Sequence, residues 1–285
     1  MQVQANAKIN LGLDILGVRQ DGYHSIRTVM QALALHDILQ MEPCSEPGIL
    51  LSTDRPELPA DETNLVWRAA HILMRDHAPD AGIRIRLCKR IPMQAGLAGG
   101  SADAAAALKG VNAMLRLGLG EEDLLSYAAK LGADVPFCLR SGTALAEGIG
   151  EILTPLPAMP ECAVLLCKPA EGISTALAYR ELDREPVLKH PDIDGIMEGL
   201  WEGSLKKIAA KLENVFEPGA VRHIPLILTI RERMLGHHAL SACMTGSGPT
   251  VFGIFPDAAG AGKCAQELRQ IDGVGFVCVT TCLFH

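Results

Sequence analysis

The chain opens on an alternation. Ile9, Leu11, Leu13 and Ile15 fall on one side of an extended backbone and Lys8, Asn10 and Gly12 on the other, which predicts a strand over Ala7–Ile15. A solvated outer face is the commoner origin of such a pattern, so the polar side is expected to meet water. Asp21-Gly22 signals a turn that doubles the chain back, and the apolar run 26–39 and the stretch 48–53 read as further strands. Pro56 and Pro59 mark a loop into a helix over about 62–76, with Leu65, Ala69, Ile72 and Leu73 as its buried stripe. Gly82–Cys88 alternates again. A glycine-rich segment separates it from an alanine-rich helix running to about 117, packed through Leu108, Val111 and Leu115; a second helix covers 121–131, with Gly132 as its stop.

Prolines 155, 157 and 160 cluster, which places a domain boundary there and divides the chain into 1–157 and 158–285. Beyond it, 162–167 reads as a buried strand and Ser174 as the cap of a helix reaching Tyr179. Helical segments follow near 193–202, 204–213 and 221–235. A second glycine turn over 241–250 leads into a strand at 251–255, a helix over 258–270 and a last strand over 276–282.

Composition narrows the class. With 285 residues, 48% hydrophobic and 21% charged, the chain is an ordinary globular one long enough for two domains. A net charge of -7 argues against a nucleic-acid surface, so the expected partner is a small molecule, with the protein itself a monomer or homodimer. The nine cysteines are odd in number and form no Cys-x-x-Cys pair. Cys138, Cys162, Cys167 and Cys278 sit in apolar runs, as reduced thiols do. There is neither a leader pattern after Met1 nor an apolar run of membrane-spanning length, so a cytoplasmic protein without membrane contact is expected.

The segment Pro92-Met93-Gln94-Ala95-Gly96-Leu97-Ala98-Gly99-Gly100-Ser101-Ala102 carries the clearest chemistry. Glycines let backbone approach a ligand, and the first amides of the helix that follows lack intrahelical partners at the positive end of its dipole, an arrangement that suits phosphate. Tight packing of helix on strand is the alternative. No Gly-Lys-Ser/Thr ends the loop, and the dinucleotide spacing is missing. No His-Glu-x-x-His or other metal-ligand spacing appears. Asp134 before Val135-Pro136 reads in isolation as an N-cap or turn aspartate. Tyr23 and His24 could cap a sheet edge, or grip a planar base.

Taken together, Lys8–Leu13, Asp21-Gly22-Tyr23-His24, Pro92–Ala107, Gly132–Phe137 and Thr245–Gly248 follow the order and spacing of the GHMP kinases, and the resemblance spans nearly the whole chain. Ala7-Lys8-Ile9-Asn10-Leu11 joined to Asp-Gly-Tyr-His resembles the branch whose acceptor alcohol is carried on a cytidine diphosphate. The resemblance implies an α+β fold of two domains, an N-terminal mixed β-sheet with helices and a C-terminal ferredoxin-like α/β sandwich, with the active site in the cleft between them. It implies ATP-dependent phosphorylation of an alcohol, with ATP and Mg2+ as cofactors. Lys8 and Asp134 then match the catalytic lysine and aspartate. Residues 92–102 match the ATP phosphate loop, with Ser101 a contact to phosphate or Mg2+, and Asn64 and Lys89 match the adenine pocket. Asn10, Tyr23 and His24 match the cytidine-diphosphate site, Thr175 and Tyr179 its second wall, and Gly246, Ser247 and Gly248 the flank of the transferred group. Other GHMP small-alcohol kinases, of homoserine or mevalonate, lack a base for Tyr23 and His24 to hold. A catalytically silent nucleotide-binding protein on the same scaffold would not need both Lys8 and Asp134. The family usually reads Gly-Leu-Gly-Gly-Gly-Ser where this chain has Ala98; a positive φ there would cost about 1 kcal/mol.

Overall fold

The computed structural model describes residues 1–184 and 189–283. The chain folds into two compact units assembled from interleaved segments, Met1–Ala7, Leu35–Met93 and Ala98–Ser141 in the first, and Lys8–Ala34, Gln94–Leu97 and Gly142–His285 in the second. The interleaving follows from two long strands, β1 (Gln2–Val18) and β2 (His24–Cys44), each of which contributes residues to both units. The proline cluster at 155–160 lies inside the second.

In the first unit the C-terminal half of β2 pairs antiparallel with β4 (Gly82–Cys88), from Ile38 opposite Cys88 to Cys44 opposite Gly82, and β4 runs parallel to β3 (Gly48–Thr53). Helices α1 (Leu65–His77), α2 (Gly99–Met114), α3 (Glu121–Leu131) and α4 (Val135–Arg140) complete it. Leu39, Met41, Ile83 and Ile85 meet Val66, Leu73 and the α2 alanines in one core. Alanines 102 and 104–107 are all buried; short side chains bring α2 close to its neighbours, and at Gly110 a Cβ would stand 2.2 Å from Met41 Sδ. The buried stripe of α1 is Val66, Ala69, Ala70, Leu73 and Met74, so Leu65 and Ile72 flank the face that they were expected to centre.

In the second unit β5 (Thr143–Glu147) pairs with both β2 and β6 (Ile152–Pro155), β1 lies beside β2, and the two-residue β8 (Glu213–Asn214) runs parallel to β1. The 19–23 turn closes the β1–β2 hairpin, with the Arg19 amide donating to the Tyr23 carbonyl at 2.7 Å. A separate antiparallel sheet has the order β11-β7-β10-β9, formed by β7 (Ala163–Pro169), β9 (Ser241–Met244), β10 (Val251–Phe255) and β11 (Val274–Thr281). Helices α9 (Leu226–Gly236) and α10 (Ala258–Leu268) pack on it. Helices α5 (Thr175–Asp183), α6 (Ile193–Trp201), α7 (Leu205–Ala209) and α8 (Glu217–His223) fill the remainder. The fold is α+β, as expected.

Three expectations are corrected. Lys8, Asn10 and Gly12 do not face water; β1 is buried on both sides from Ala7 to Ile15. The helix expected over 221–235 is two, because Pro225 cannot continue α8 and instead starts α9. Strands β5, β6 and β9 were not anticipated, being short and set among glycines and prolines. None of the nine cysteines is in a disulfide, and five of them are buried. Among the described residues no helix is long and apolar enough to cross a membrane.

Candidate active site

Because β1 is buried on both faces, its polar residues must find partners inside the protein. In the second unit, Lys8 Nζ donates to Asn10 Oδ1 at 2.8 Å, and Asn10 Nδ2 donates to Thr28 Oγ1 at 2.9 Å. The Asn10 amide nitrogen donates to Thr245 Oγ1 at 2.9 Å, whose hydroxyl faces Asn10 Oδ1 at 3.3 Å and the Gly96 carbonyl at 3.4 Å. The Lys8 backbone amide donates to the Leu97 carbonyl at 3.2 Å. Here the two glycine turns meet: a Cβ on Gly96 would lie 2.2 Å from the Thr245 carbonyl oxygen, so no other residue fits without displacing the 245–248 turn. That turn is anchored from below by Asn214, whose Nδ2 donates to the carbonyls of Met244 and Gly246, and by Glu217, which accepts from the Met244 amide.

The glycine loop carries two left-handed non-glycine residues, Gln94 at φ 48° and Ala98 at φ 56°. Ala98 is the residue before α2, and its conformation is the one for which glycine is the unstrained choice. No side chain caps α2, so main-chain amides at Gly99, Gly100 and Ser101 head the helix. Tyr23 lies exposed beyond its turn, while His24 Nε2 is 2.7 Å from Asp183 Oδ1 and its ring stands 4.6 Å from that of Tyr179. Tyr179 in turn packs edge-on to Phe216 at 4.9 Å, and Thr175 Oγ1 lies 3.1 Å from Ser247 Oγ. The residues expected to line one substrate pocket, His24, Tyr179, Thr175 and Ser247, are thus linked pairwise in the second unit.

In the first unit Asp134 occupies the N-cap position of α4, and its carboxylate makes no capping bond. Asn64 does cap: its Oδ1 accepts from the Val66 amide at 2.9 Å and its Nδ2 donates to the Pro59 carbonyl at 2.7 Å. Lys89 is buried, and its ammonium is held between Asp37 and Asp103, at 2.6 Å from Asp103 Oδ2. Asp37 Oδ1 also accepts from the backbone amides of Arg90 and Ile91, the residues that lead into the glycine loop. One cation faces two carboxylates. Burial pushes Asp103 up to about 8 against the pull of Lys89, with Asp37 adding to the rise, and its Oδ1 has no hydrogen-bond partner, which suits a protonated acid. Burial alone would lower Lys89, but Asp103 and Asp37 outweigh it and hold the ammonium above its ordinary value.

Sequence reasoning missed Thr28, Asn214, Asp37 and Asp103, and it named Thr245 only as part of the second glycine turn. Asp103 left a signal, a single acid in an alanine run, and so did Asp37 amid Leu35, Ile38 and Leu39. A charge among apolar residues is buried with a partner or marks a site. Thr28 left none.

Known proteins resemble this chain over its length. The model of the GHMP kinases N terminal domain matches residues 64–142 and that of the GHMP kinases C terminal matches 196–272. A 4-diphosphocytidyl-2-C-methyl-D-erythritol kinase from Lachnospira eligens is 46% identical over 95% of this chain and 94% of that protein. One of the same name from Acetivibrio thermocellus is 39% identical over 98% and 99%. The crystal structure of a 4-(cytidine 5'-diphospho)-2C-methyl-D-erythritol kinase superposes with a TM-score of 0.83 at 33% identity, covering 99% of each chain. A homoserine kinase from Cytophaga hutchinsonii reaches 0.82 at 21% identity, a likeness of fold alone.

Proposed function

The chain belongs to the GHMP kinases, and within them to the family of 4-diphosphocytidyl-2-C-methyl-D-erythritol kinases, and from that premise we propose the reaction it performs. It is a small-molecule kinase. Its acceptor is the 2-hydroxyl of 4-diphosphocytidyl-2-C-methyl-D-erythritol, its donor ATP, and its products ADP and the 2-phosphate, a step of non-mevalonate isoprenoid synthesis in the cytoplasm.

The observation that carries the acceptor is the ring wall of His24, Tyr179 and Phe216 beside the Thr175–Ser247 pair. Aromatic rings and a hydrogen-bonding imidazole suit a cytosine, and neither homoserine nor mevalonate offers a base to stack. Tyr23, exposed next to His24, supplies a further face. Asn10 orients the erythritol, and Gly246–Gly248 border the transferred group.

Phosphoryl transfer asks chiefly for positioning and for positive charge near the γ-phosphoryl oxygens. The amides of Gly99, Gly100 and Ser101 receive phosphate oxygens at the head of α2. Asn64 and Lys89 border the adenine side, their side-chain heads already engaged within the protein. Lys8 sets an ammonium against the charge that develops on the transferred group, and Asp134 accepts the proton of the attacking hydroxyl. That proton leaves late, so a carboxylate suffices as base. The Ser101 hydroxyl would be the protein's contact to Mg2+. Held there, the ion would supply neutralisation of phosphate charge.

Replacing Asp134→Asn keeps the shape and removes the base. Steady-state turnover is expected to fall about a hundredfold or more; a variant with wild-type kcat would remove Asp134 from this role.

A further inference from the structure

The orientation of the Asn10 amide is not arbitrary. Thr28 is fully buried, and its hydroxyl donates to the Gly12 carbonyl at 2.6 Å. A carbonyl oxygen can only accept, so the single hydroxyl hydrogen of Thr28 is committed there. Thr28 Oγ1 can then only accept from Asn10, which turns the NH2 group of that amide toward Thr28 at 2.9 Å and its oxygen toward the Lys8 ammonium at 2.8 Å. Were the amide reversed, its NH2 would confront the ammonium, donor against donor.

We propose that Thr28, buried away from any ligand, is a positioning residue for phosphoryl transfer: through Asn10 it fixes the direction in which the Lys8 ammonium points. The inference rests on the reading of Lys8 as the group that meets the transferred phosphoryl. The backbone of β1 supplies the fixed point at Gly12, and each later link inherits its polarity from the one before. Thr245 steadies the same amide from the other side, through both the Asn10 backbone amide and Asn10 Oδ1. Misdirecting the ammonium matters most where charge develops, so the loss falls on kcat and spares the KM for ATP.

Valine at 28 keeps the shape and loses the hydroxyl, whereas serine loses a methyl group and keeps the hydroxyl. With ATP and 4-diphosphocytidyl-2-C-methyl-D-erythritol as substrates, Thr28→Val is expected to lower kcat about ten- to a hundredfold with the KM for ATP within about twofold, and Thr28→Ser to stay within about threefold of wild type. A purely structural role predicts no such split, because the serine variant bears the packing defect. If the valine variant does not fold, Thr28→Ala against Thr28→Ser makes the same comparison, since the two differ only by the hydroxyl. Equal kcat for the hydroxyl-bearing and hydroxyl-free variants overturns the proposal. Lys8→Gln separates the two levels: if it retains wild-type turnover the role of Lys8 is wrong, and if it is inactive while Thr28→Val turns over like Thr28→Ser, only the role of Thr28 is.

Discussion

Each of the two units buries a polar cluster, and the two are built on different physics. The Asp37–Lys89–Asp103 cluster works by charge: one ammonium between two carboxylates, with Asp37 also gathering the amides of Arg90 and Ile91 ahead of the glycine loop. The Gly12–Thr28–Asn10 chain works by direction: uncharged groups pass an orientation from a backbone carbonyl to Lys8. Removing one member of a buried ionic cluster leaves a charge without compensation in a poorly solvating interior. Removing one member of a neutral chain leaves only dipoles unpaired, which costs less, while the directional information is lost entirely. The first cluster should therefore reveal itself in stability and the second in catalysis.

Lys89→Met would sharpen this contrast most, since it leaves Asp37 and Asp103 facing one another. Chemical denaturation is expected to show a loss of about 3–5 kcal/mol. Thr28→Val, which strands the Gly12 carbonyl and the Asn10 amide, is expected to lose only about 1–3 kcal/mol in the same measurement. A smaller loss for Lys89→Met than for Thr28→Val would reverse the assignment of the two clusters.

The subtlest effect concerns pH. Burial raises Asp103 to about 8 in the folded protein, against the ordinary 3.8 that it regains on unfolding. A raised acid favours the folded state at low pH, and that contribution is lost progressively as pH rises from about 4 through about 8. Lys89, raised above 10.5, does not titrate in that window. Wild type should accordingly lose stability relative to Asp103→Asn between pH 5 and pH 8 in buffered urea titrations. A gap between the two proteins that does not change with pH would show that Asp103 is ionised in the fold throughout.

The same contrast explains what could be read from the sequence. Repeating patterns exposed the strands around Ile9 and Ile85 and the helix led by Gly99, because periodicity survives without knowledge of the partner. They misjudged the second face of β1, since alternation records which residues are polar and not whether a neighbouring element covers them. The motif residues Lys8, Asp134 and His24 were visible as chemistry. Their supports were not: Asp37 lies 52 positions from Lys89, Thr28 lies 18 from Asn10, and Thr245 lies 235 from it, separations that only the tertiary structure closes. The strain expected at Ala98 was legible because it depends on one residue's own backbone, and the left-handed conformation is present.

The choice of acceptor is the decisive point. ADP release measured in parallel with 4-diphosphocytidyl-2-C-methyl-D-erythritol, homoserine and mevalonate should give a kcat/KM for the cytidine compound at least about a hundredfold above the other two, since only it carries a base for the wall proposed at His24 and Tyr179. Equal or faster turnover of homoserine or mevalonate would contradict it.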